Sequence, residues 1–468
     1  MKVALVRPPG TLGVIAKQST QHPINLATLA AIAVQAGHET HVWDYEVEPF
    51  AEDRLASRIK ESKPDVIGIS CMTATVHKGH EIARIAKGVR PSTCTVLGGC
   101  HCSALPGRTL REFPSFDIGV HGEGEETLVE LLAHLSEQRT PEGIPGTVYR
   151  QDGQIVVEPA RPLIGDLDSL PIPARHLLPL DRYPRTSSTP GIYSRRYRPT
   201  QMFTARGCYA RCIFCASKVL FGRRVRYRSV EHIVAEVEDC INRFGFNHFT
   251  IDDDTFAIDK ERLASLCDRF GKLGVTWDCD TRVDLVSRDV LKMMARSGCL
   301  KVAYGVESGS QRILDLIGKG ATVEQVRNAV SWAREAGLIT QAQLMIGSHP
   351  SETRDEVYAT LRLVKDVRPD FVSWAITVPY PGTEVYDLLV KKGYIQTFDW
   401  RQFQMYNVVP IWRTEHFTGS ELVALQKQVL RRYYLRPSLI WQLLRRIRGV
   451  DELRVYVDAL LDFVRFTR

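Results

Sequence analysis

The 468-residue sequence lacks any uninterrupted apolar run close to the roughly 18 residues that a membrane-spanning helix needs. Its first residues, Met1–Pro9, also lack the apolar core and cleavage site of a secretory signal. We therefore expect a cytoplasmic protein whose eleven cysteines stay reduced. With 44% hydrophobic and 25% charged residues, the composition is that of a globular protein, and the length suggests about two to four domains.

Most of the net positive charge lies at one end of the chain. The formal net charge is +7, and the stretch from Lys427 to Arg468 alone holds ten Lys/Arg and four Asp/Glu, a net +6. The rest of the chain is therefore close to neutral. This distribution argues against a general nucleic-acid surface and indicates a local basic feature at the C-terminal end.

Three cysteines stand close together in the stretch Cys208-Tyr-Ala-Arg-Cys212-Ile-Phe-Cys215. A short loop with this spacing can direct three thiolates at one point, which suits three irons of a four-iron cluster and leaves the fourth iron open. Structural zinc usually takes four protein ligands, commonly as two separated pairs, and no second close cysteine pair or Cys/His cluster follows at that distance. A zinc loop and three unrelated thiols are the alternatives.

This spacing, with Phe214 in the aromatic position before the third cysteine, resembles the signature of the radical S-adenosylmethionine enzymes. The resemblance implies a [4Fe-4S] cluster on Cys208, Cys212 and Cys215, whose open iron is chelated by the amino and carboxylate groups of S-adenosylmethionine. It also implies that an electron from the cluster cleaves the sulfonium to a 5′-deoxyadenosyl radical. The motif specifies the radical initiator and not the reaction.

Residues 1–140 alternate between strand and helix patterns. The predicted strands are Lys2–Arg7, His38–Asp44, Asp65–Ser70, Thr95–Gly98 and Asp117–Val120. Such alternation predicts an α/β, doubly wound, Rossmann-like domain with a parallel sheet. Sheets of this kind bind ligands beyond the carboxyl ends of their strands, where this sequence has glycine-rich loops.

Two of these loops, Gly98-Gly-Cys-His101 and His121-Gly-Glu-Gly-Glu125, resemble the cobalamin-binding domain that precedes the barrel in one large radical S-adenosylmethionine subclass. The resemblance implies two groups of cobalamin contacts. Those beneath the corrin are Thr73, Ala74, Thr75 and Val76, and those along the nucleotide tail are Gly98, Gly99, His101, Gly122, Glu123 and Gly124. The Asp-x-His-x-x-Gly motif that supplies an axial histidine elsewhere is absent, so the lower axial ligand is unassigned. A domain without a ligand, or one that binds a nucleotide, is the alternative.

Residues 141–198 are proline-rich and predict a linker, with a β-hairpin around Gln151-Asp-Gly153. Residues 199–395 then contain six strand–helix units. That number is too small for a complete eightfold barrel, but it suits the partial (β/α)6 barrel of the resembled family.

In parallel barrels the carboxyl ends of the strands build the site, and each of these strand ends carries charge or glycine. The resemblance and the chemistry of S-adenosylmethionine imply the following contacts. Asp252, Asp253 or Asp254 holds the amine, Arg282 the carboxylate, Glu307 and Ser308 the ribose hydroxyls, and the backbone of Ile346 and Gly347 the adenine edge. Alternation places Asp252 and Asp254 on one face of their strand.

Each contact has an alternative. The aspartates could cap the next helix, Arg282 could pair with Asp280 or Asp284, and Glu307 could be a solvated loop residue. The stretch Gly347-Ser-His-Pro-Ser-Glu-Thr353 departs from the usual Gly-Leu-Pro-Gly-Glu-Thr of the subclass by one extra residue and a histidine. His349 and Tyr380 are the candidate catalytic residues, and their alternatives are a hydrogen bond within the loop and packing.

Residues 396–468 predict a helical region. Thr418–Tyr434 has a candidate capping box at Thr418 and Glu421. Leu439–Arg448 alternates apolar residues with arginines, and Asp451–Phe466 is a further amphipathic helix. A basic amphipathic helix with tryptophan suits an anionic membrane surface, such as the inner membrane. Packing against the barrel, with the arginines in water, is the alternative.

The resemblance spans roughly residues 1–395 and implies a cobalamin-dependent radical S-adenosylmethionine enzyme similar to the class B methyltransferases. We expect C-methylation at an unactivated carbon of a small-molecule or lipid-like substrate, with a flavodoxin or ferredoxin-like electron donor. A rearrangement, cyclisation or ring contraction without methyl transfer is one alternative. The others are a radical enzyme with an empty N-terminal domain and a non-enzymatic iron–sulfur or zinc scaffold.

Overall fold

A computed structural model describes residues 1–10, 20–184, 197–404, 410–444 and 450–467. The strands are β1 (Lys2–Arg7), β2 (Glu39–Asp44), β3 (Val66–Ser70), β4 (Cys94–Gly98), β5 (Ile118–Val120), β6 (Thr147–Gln151), β7 (Gln154–Val157), β8 (Pro199–Met202), β9 (Ala205–Arg206), β10 (Arg226–Tyr227), β11 (His248–Phe256), β12 (Thr276–Thr281), β13 (Cys299–Glu307), β14 (Ile339–Ile346) and β15 (Phe371–Ile376).

The α-helices alternate with these strands and then form the C-terminal region. They are α1 (Ile24–Gln35), α2 (Glu52–Ser62), α3 (Val76–Val89), α4 (Cys100–Ala104), α5 (Pro106–Glu112), α6 (Glu125–Ser136), α7 (Ser217–Phe221), α8 (Val230–Phe244), α9 (Lys260–Leu273), α10 (Arg288–Arg296), α11 (Gln311–Leu316), α12 (Val323–Glu335), α13 (Arg354–Val367), α14 (Glu384–Lys391), α15 (Gly419–Tyr434), α16 (Pro437–Leu444) and α17 (Val450–Thr467).

The N-terminal sheet has seven strands in the order β2-β1-β3-β4-β5-β6-β7, and β1 to β5 are parallel. The run Val3–Val6 of β1 is buried because helices cover both faces of the sheet, as parallel sheets require. The hairpin β6–β7 pairs antiparallel with β5. The hairpin predicted within the linker therefore extends the N-terminal sheet as far as Val157.

The second large sheet has six parallel strands in the order β8-β11-β12-β13-β14-β15, which confirms the predicted partial barrel. Local signals set its helix ends. Ser229 Oγ accepts a 3.1 Å hydrogen bond from His232 N at the start of α8. Gly245 ends the same helix in the left-handed conformation, with φ +67°.

The inner face of the barrel is polar. Along β11, Phe249 and Ile251 are buried in the hydrophobic core. His248 and Thr250, which alternate with them, both bond Asp278 of β12, at 2.8 and 3.2 Å. This alternation follows from the two-residue period of a strand. The barrel can therefore hold a polar ligand inside while its apolar outer face packs on the helices.

The linker fixes the first barrel strand to its surroundings. Arg175 of the linker is fully buried and donates from Nη2 to Gln201 O at 2.7 Å and to Glu236 Oε1 at 2.5 Å. Burial opposes ionisation, but Arg175 and Arg228 hold the pKa of Glu236 below its usual value. His22 N of the N-terminal domain donates to Gln201 Oε1 at 2.8 Å. Residues from both preceding segments therefore meet at the first barrel strand.

The C-terminal region returns to the barrel through α15. The predicted capping box is confirmed, since Thr418 N donates to Glu421 Oε2 at 2.8 Å and Glu421 N to Thr418 Oγ1 at 3.3 Å. Tyr434 OH bonds the backbone of Val372 in β15. Of the helices in the described ranges, none combines the length and apolarity needed to cross a membrane. Residues 445–448, part of the predicted basic helix, lie outside the described residues.

Candidate active site

The cysteine loop leaves the end of the first barrel strand between β9 and β10. These two strands pair antiparallel, with Arg206 opposite Arg226, so the loop begins and ends at the same place. Gly207 lies just before the first cysteine with φ +89°, and a Cβ there would meet Arg224 O at 2.4 Å. Only glycine fits this turn.

The barrel also holds the middle of the loop. Ile213 N donates to Ile317 O at 3.0 Å, and Ile213 O accepts from Val385 N at 3.0 Å. Phe214, the aromatic residue of the motif, is half-buried against the cluster that contains Ile313 and Ile317. The aromatic position therefore packs the loop onto α11.

The thiols of the cysteine loop lie close enough for their charges to interact, since neighbouring cysteines of the loop affect the pKa of both Cys212 and Cys215. Burial, with smaller contributions from Asp254 and the other two cysteines, raises the pKa of Cys215 to about 11. Burial also raises the pKa of Cys212, against the effect of Lys319. Among the described residues, no three Cys, His, Asp or Glu side chains converge tightly enough to hold a single ion. A four-iron cluster needs no such convergence, because each thiolate binds a different iron, so the donor set fits a cluster.

The three aspartates of β11 have separate surroundings, and Asp253 is the most buried of them. Its carboxylate accepts hydrogen bonds from Thr204 N at 2.6 Å and Ala205 N at 2.9 Å. Burial raises its pKa to about 6. The next helix, α9, is capped by Asp259, whose side chain accepts from Arg262 N, so the alternative of a helix cap does not apply to these aspartates.

Asp252 and Asp254 lie where the pairing of β11 with β12 is irregular, so their common face stays a prediction. Asp254 Oδ2 accepts from Gly207 N at 3.1 Å, at the entrance to the cysteine loop. Asp252 lies deeper in the barrel, where burial and the nearby Asp280 raise its pKa well above the usual value. Asp254 is therefore the aspartate next to the cysteines.

Arg282, Glu307 and Lys319 meet beside the loop at the ends of β12 and β13. Arg282 pairs bidentately with Asp284, at 2.9 and 3.1 Å, which was one of its alternatives, and its Nη2 donates to Lys319 O at 2.6 Å. Lys319 Nζ donates to Glu307 Oε1 at 2.8 Å. Glu307 is buried with φ +63°, an uncommon conformation that clusters at functional sites. It is therefore not the solvated loop residue of the alternative.

Ser308 does not reach this site, which corrects its assignment to the ribose. Its side chain is fully buried, and its Oγ accepts from Ser310 N at 3.2 Å and lies 3.4 Å from Thr360 Oγ1. The close approach of Gly309 to the backbone of Thr360 draws this turn towards α13. Ser308 thus stabilises the turn that follows Glu307.

The backbone at the end of β14 is largely engaged within the protein. Ile346 is fully buried, and its carbonyl accepts from Thr377 N at 3.0 Å. Gly347 has φ +70°, its N–H donates to Glu352, and the ring of Trp412 occupies the space of a Cβ. The predicted adenine contacts would have to displace or share these partners.

The two candidate catalytic residues have local partners. His349 Nδ1 lies 2.8 Å from Ser351 Oγ and 3.2 Å from Ser351 N, which is the hydrogen bonding within the loop given as its alternative. Tyr380 is half-buried against the barrel core, and its N–H donates to Val378 O at 2.9 Å. Their catalytic roles stay predictions.

The glycines at the carboxyl edge of the N-terminal sheet differ in the space around them. Open space surrounds the Cβ positions of Gly98 and Gly122, while Gly124 is in ordinary contact with Val120. Met72, just after β3, is a large apolar side chain that is 58% exposed, and sequence patterns did not single it out.

The predicted corrin-side contacts Thr73, Thr75 and Val76 are buried, and Ala74 is half-buried. Thr75 Oγ1 bonds the backbone of Met72, which fixes this turn. The turn offers mainly packed backbone and the Met72 side chain to a ligand.

One predicted tail contact, His101, is inaccessible and its assignment is corrected, whereas Gly99 is half-buried and its contact stays a prediction. A Cβ on Gly99 would meet Cys71 O at 2.5 Å, so this glycine permits close packing of the backbone. His101 is fully buried, with its ring centroid 5.1 Å from that of Trp400. Burial lowers the pKa of His101 to about 4.

Glu123, predicted to border the nucleotide tail, is held by two arginines of the barrel side, and its contact with the tail stays a prediction. Its Oε1 accepts from Arg206 Nη1 at 2.8 Å and its Oε2 from Arg226 Nη1 at 2.7 Å. These arginines lie on β9 and β10, at the two ends of the cysteine loop. Sequence reasoning missed this contact, although arginines on either side of the cysteines were its available signal.

Comparisons with known proteins agree with both halves of this arrangement. A B12 binding domain model matches residues 10–132, and a radical SAM superfamily model matches residues 202–364. A Pyrococcus horikoshii protein named as an uncharacterized methyltransferase is 34% identical, covering 98% of this chain and 99% of its own length.

The chain belongs to the cobalamin-dependent radical S-adenosylmethionine enzymes. The anaerobic magnesium-protoporphyrin IX monomethyl ester cyclase of Rubrivivax gelatinosus is 28% identical, over 94% of this chain and 78% of its own length. The solved structure of the radical S-adenosylmethionine methyltransferase TsrM from Kitasatospora setae, with cobalamin and a [4Fe-4S] cluster, matches with a TM-score of 0.70 and 19% identity. It covers 90% of this chain and 80% of that one.

The cofactors of this radical S-adenosylmethionine enzyme are thus cobalamin, a [4Fe-4S] cluster and S-adenosylmethionine. The residues fit them. Three thiols on one loop suit the cluster, and the open glycines Gly98 and Gly122 leave room for a large ligand at the carboxyl edge of the N-terminal sheet. The predicted zinc and non-enzymatic alternatives do not agree with this family membership.

The sequence patterns did not single out the carboxyl group of Glu352, which follows the end of β14. Glu352 is fully buried, Oε2 accepts from Gly347 N, and Oε1 has no hydrogen-bond partner among the described residues. Burial raises its pKa to about 8. Burial therefore favours the protonated form of Glu352 in the folded protein.

Replacing Glu352 with Gln should remove part of the pH dependence of stability. Between the ordinary pKa of 4.5 and about 8, the folded chain holds a proton that the unfolded chain has lost, so stability falls as pH rises through this window. At about 1.4 kcal/mol per pKa unit, the loss is on the order of 3–5 kcal/mol. Denaturant unfolding at pH 5 and pH 8.5 should show a smaller decline for Glu352→Gln. An equal decline in this variant and in Glu324→Gln, an exposed control, would contradict the assignment.

Proposed function

We propose that this enzyme transfers a methyl group to an unactivated carbon of a small-molecule substrate. The observation that carries the proposal is that the cysteine loop is held against the carboxyl edge of the cobalamin-binding domain, through Glu123. When bound, the cluster supplies the electron that cleaves S-adenosylmethionine, and the corrinoid supplies the methyl group. The protein's part is to place these groups and exclude water.

Charges beside the cysteine loop suit the methionine end of S-adenosylmethionine. We propose that Asp254 binds the amine, because its carboxylate already accepts from Gly207 N, one residue before the first cysteine. Arg282 and Lys319 place positive charge where the carboxylate would lie, and Glu307 is close enough to share the ribose hydroxyls. Charge-assisted hydrogen bonds of this kind are short and directional.

Tryptophans from the C-terminal region cover the strand ends of both domains. Trp412 packs on Gly347 at the end of β14. Trp400 packs on His101 and donates from Nε1 to Glu112 Oε2 at 2.6 Å. Such cover would keep water away from reactive radicals, which supports radical chemistry at this edge.

A rearrangement or cyclisation without net methyl transfer is the second candidate. The specific observation in its favour is the match to the cyclase of Rubrivivax gelatinosus over 94% of this chain. The same cofactors serve either reaction, so only the fate of the methyl group distinguishes them.

The C-terminal helices support a lipid-like substrate and contact with a membrane surface. Their exposed apolar side chains are Ile440, Trp441, Leu453, Val457, Leu460 and Leu461. Four of these lie at the spacing of one face of α17, and the region carries the net charge of +6 counted above. A one-electron donor, a flavodoxin or a ferredoxin-like protein, completes the proposed set of partners.

Replacing Asp254 with Asn should weaken the binding of S-adenosylmethionine. Loss of a charge-assisted hydrogen bond costs about 1.5–3 kcal/mol, which corresponds to a KM roughly ten- to a hundredfold higher. The measurement is 5′-deoxyadenosine formation with dithionite at varied S-adenosylmethionine concentrations, in protein shown to bind iron normally. Asp268→Asn, at an exposed position of α9, is the control. An unchanged KM would exclude Asp254 as the amine ligand.

The methylation proposal is tested with S-adenosylmethionine that carries a deuterated methyl group. Anaerobic protein with iron, sulfide and hydroxocobalamin is incubated with a bacterial extract of lipids and small molecules, and with dithionite or reduced flavodoxin. Mass spectrometry should find the labelled methyl group in an extract component, and Cys212→Ala should form neither this product nor 5′-deoxyadenosine. Cys94→Ala, a thiol outside the loop, should behave as wild type.

The other outcomes of this experiment separate the alternatives. An extract component that is consumed without acquiring label, while 5′-deoxyadenosine forms, favours rearrangement or cyclisation. No 5′-deoxyadenosine from the wild-type protein under either reductant contradicts a radical function.

Membrane contact is tested by flotation with phosphatidylglycerol vesicles, with phosphatidylcholine vesicles for comparison. The wild-type protein should float with the anionic vesicles, and Trp441→Asp should float less, because Trp441 is 58% exposed in the apolar group. Val390→Asp changes an exposed apolar residue on α14 and serves as the control. If the wild-type protein stays at the bottom with both vesicles, the helices do not bind such a surface.

A further inference from the structure

One buried carboxylate spans the boundary between the two domains. Glu123 belongs to the loop after β5, and both of its oxygens are engaged by the barrel side, at 2.8 Å from Arg206 and 2.7 Å from Arg226. Oε2 also accepts from Ile164 N at 2.8 Å. The side chains of Glu123 and Arg226 are almost completely buried, so solvent screens these ion pairs little.

A second glutamate strengthens the same contact. Glu125, the first residue of α6, accepts from Arg206 Nη2 at 2.5 Å, so the guanidinium of Arg206 is held by two carboxylates of one loop. We call Glu123, Glu125, Arg206 and Arg226 the interdomain ion-pair cluster. A buried charge that loses its partner is strongly destabilising. Separation of the N-terminal domain from the cysteine loop would break these pairs and is therefore strongly disfavoured.

The arginines of this cluster stand at the two ends of the cysteine loop. Arg206 precedes Cys208 by two residues, and Arg226 lies opposite Arg206 in the β9–β10 pair. Asp254 binds Gly207 N between them. The N-terminal domain therefore holds the base of the loop on which the cluster forms.

The glutamates belong to the loop that borders the corrinoid side of the sheet. Gly122, next to Glu123, has φ +80° with open space at its Cβ position, and its N–H donates to Ser103 Oγ at 3.0 Å. A ligand that occupies this open space would contact the residue adjoining Glu123. The same five-residue segment, His121–Glu125, thus faces the ligand edge and holds the cysteine loop.

We propose that Glu123 is a positioning residue that couples corrinoid occupancy of the N-terminal domain to the geometry of the cysteine loop. A corrinoid would order the loop after β5, which carries Glu123. Through the Glu123 carboxylate it would also order the arginines at the base of the cysteine loop. Coupling of this kind is reciprocal, so the cluster also favours corrinoid binding. The inference rests on the cobalamin and cluster binding of this family.

The test is the midpoint potential and the electron paramagnetic resonance signal of the reduced cluster, with and without hydroxocobalamin. The wild-type protein should show a shift in both on corrinoid loading, and Glu123→Gln, with normal iron content, should lose the shift. Glu123→Asp, which keeps the charge on a shorter side chain, should retain part of it. Glu126→Gln is the matched control, since Glu126 lies three residues after Glu123, on α6, and is an exposed partner of Arg161.

Two results would overturn the coupling: no shift in the wild-type protein with both cofactors bound, or an equal shift in Glu123→Gln. If Glu123→Gln does not fold, Glu123→Asp decides, because a shift fully equal to that of the wild type contradicts the proposal. Iron content and corrinoid absorbance after desalting are measured first. Failure to bind either cofactor overturns the family-based function as well, whereas binding of both without a shift overturns only the coupling.

Discussion

The structure depends on a few buried charges that are paired across segment boundaries. Glu123 joins the cobalamin-binding domain to both ends of the cysteine loop, and Glu236 joins the linker's Arg175 to the barrel helix α8. A buried carboxylate is costly without its partners, so each of these pairs admits one arrangement of its segments. The cysteine loop is therefore positioned by two domains.

The chemistry lies at strand ends because only there do several parallel strands present side chains to one space. In the barrel, Asp254, Arg282 and Glu307 come from three consecutive strand ends and lie around the base of the cysteine loop. In the N-terminal domain, glycines leave open space at the corresponding edge. The C-terminal tryptophans then cover parts of both edges, so every segment of the chain contributes to one composite site.

Local sequence patterns predicted most of the architecture, and the assignment of Cys208, Cys212 and Cys215 to the cluster stays a prediction. Strand alternation predicts a common face for Asp252 and Asp254, since the period of two is a local property. The partners of Ser308, His101 and Glu123 were missed because they are distant in sequence. Ser308 contacts Thr360, His101 contacts Trp400, and Glu123 pairs with Arg206, which is 83 residues away.

By itself, the sequence determined the two α/β domains, the three cysteines and the family, because these depend on periodicity and on spacing within a single loop. Only the tertiary structure decided which polar residues are accessible. It distinguished Asp254 from Asp253, buried Ser308 and His101, and placed the Glu123 side chain in an interdomain ion pair. The physical reason is that a charged side chain takes its role from the groups that surround it in space, and folding brings those groups from distant parts of the chain.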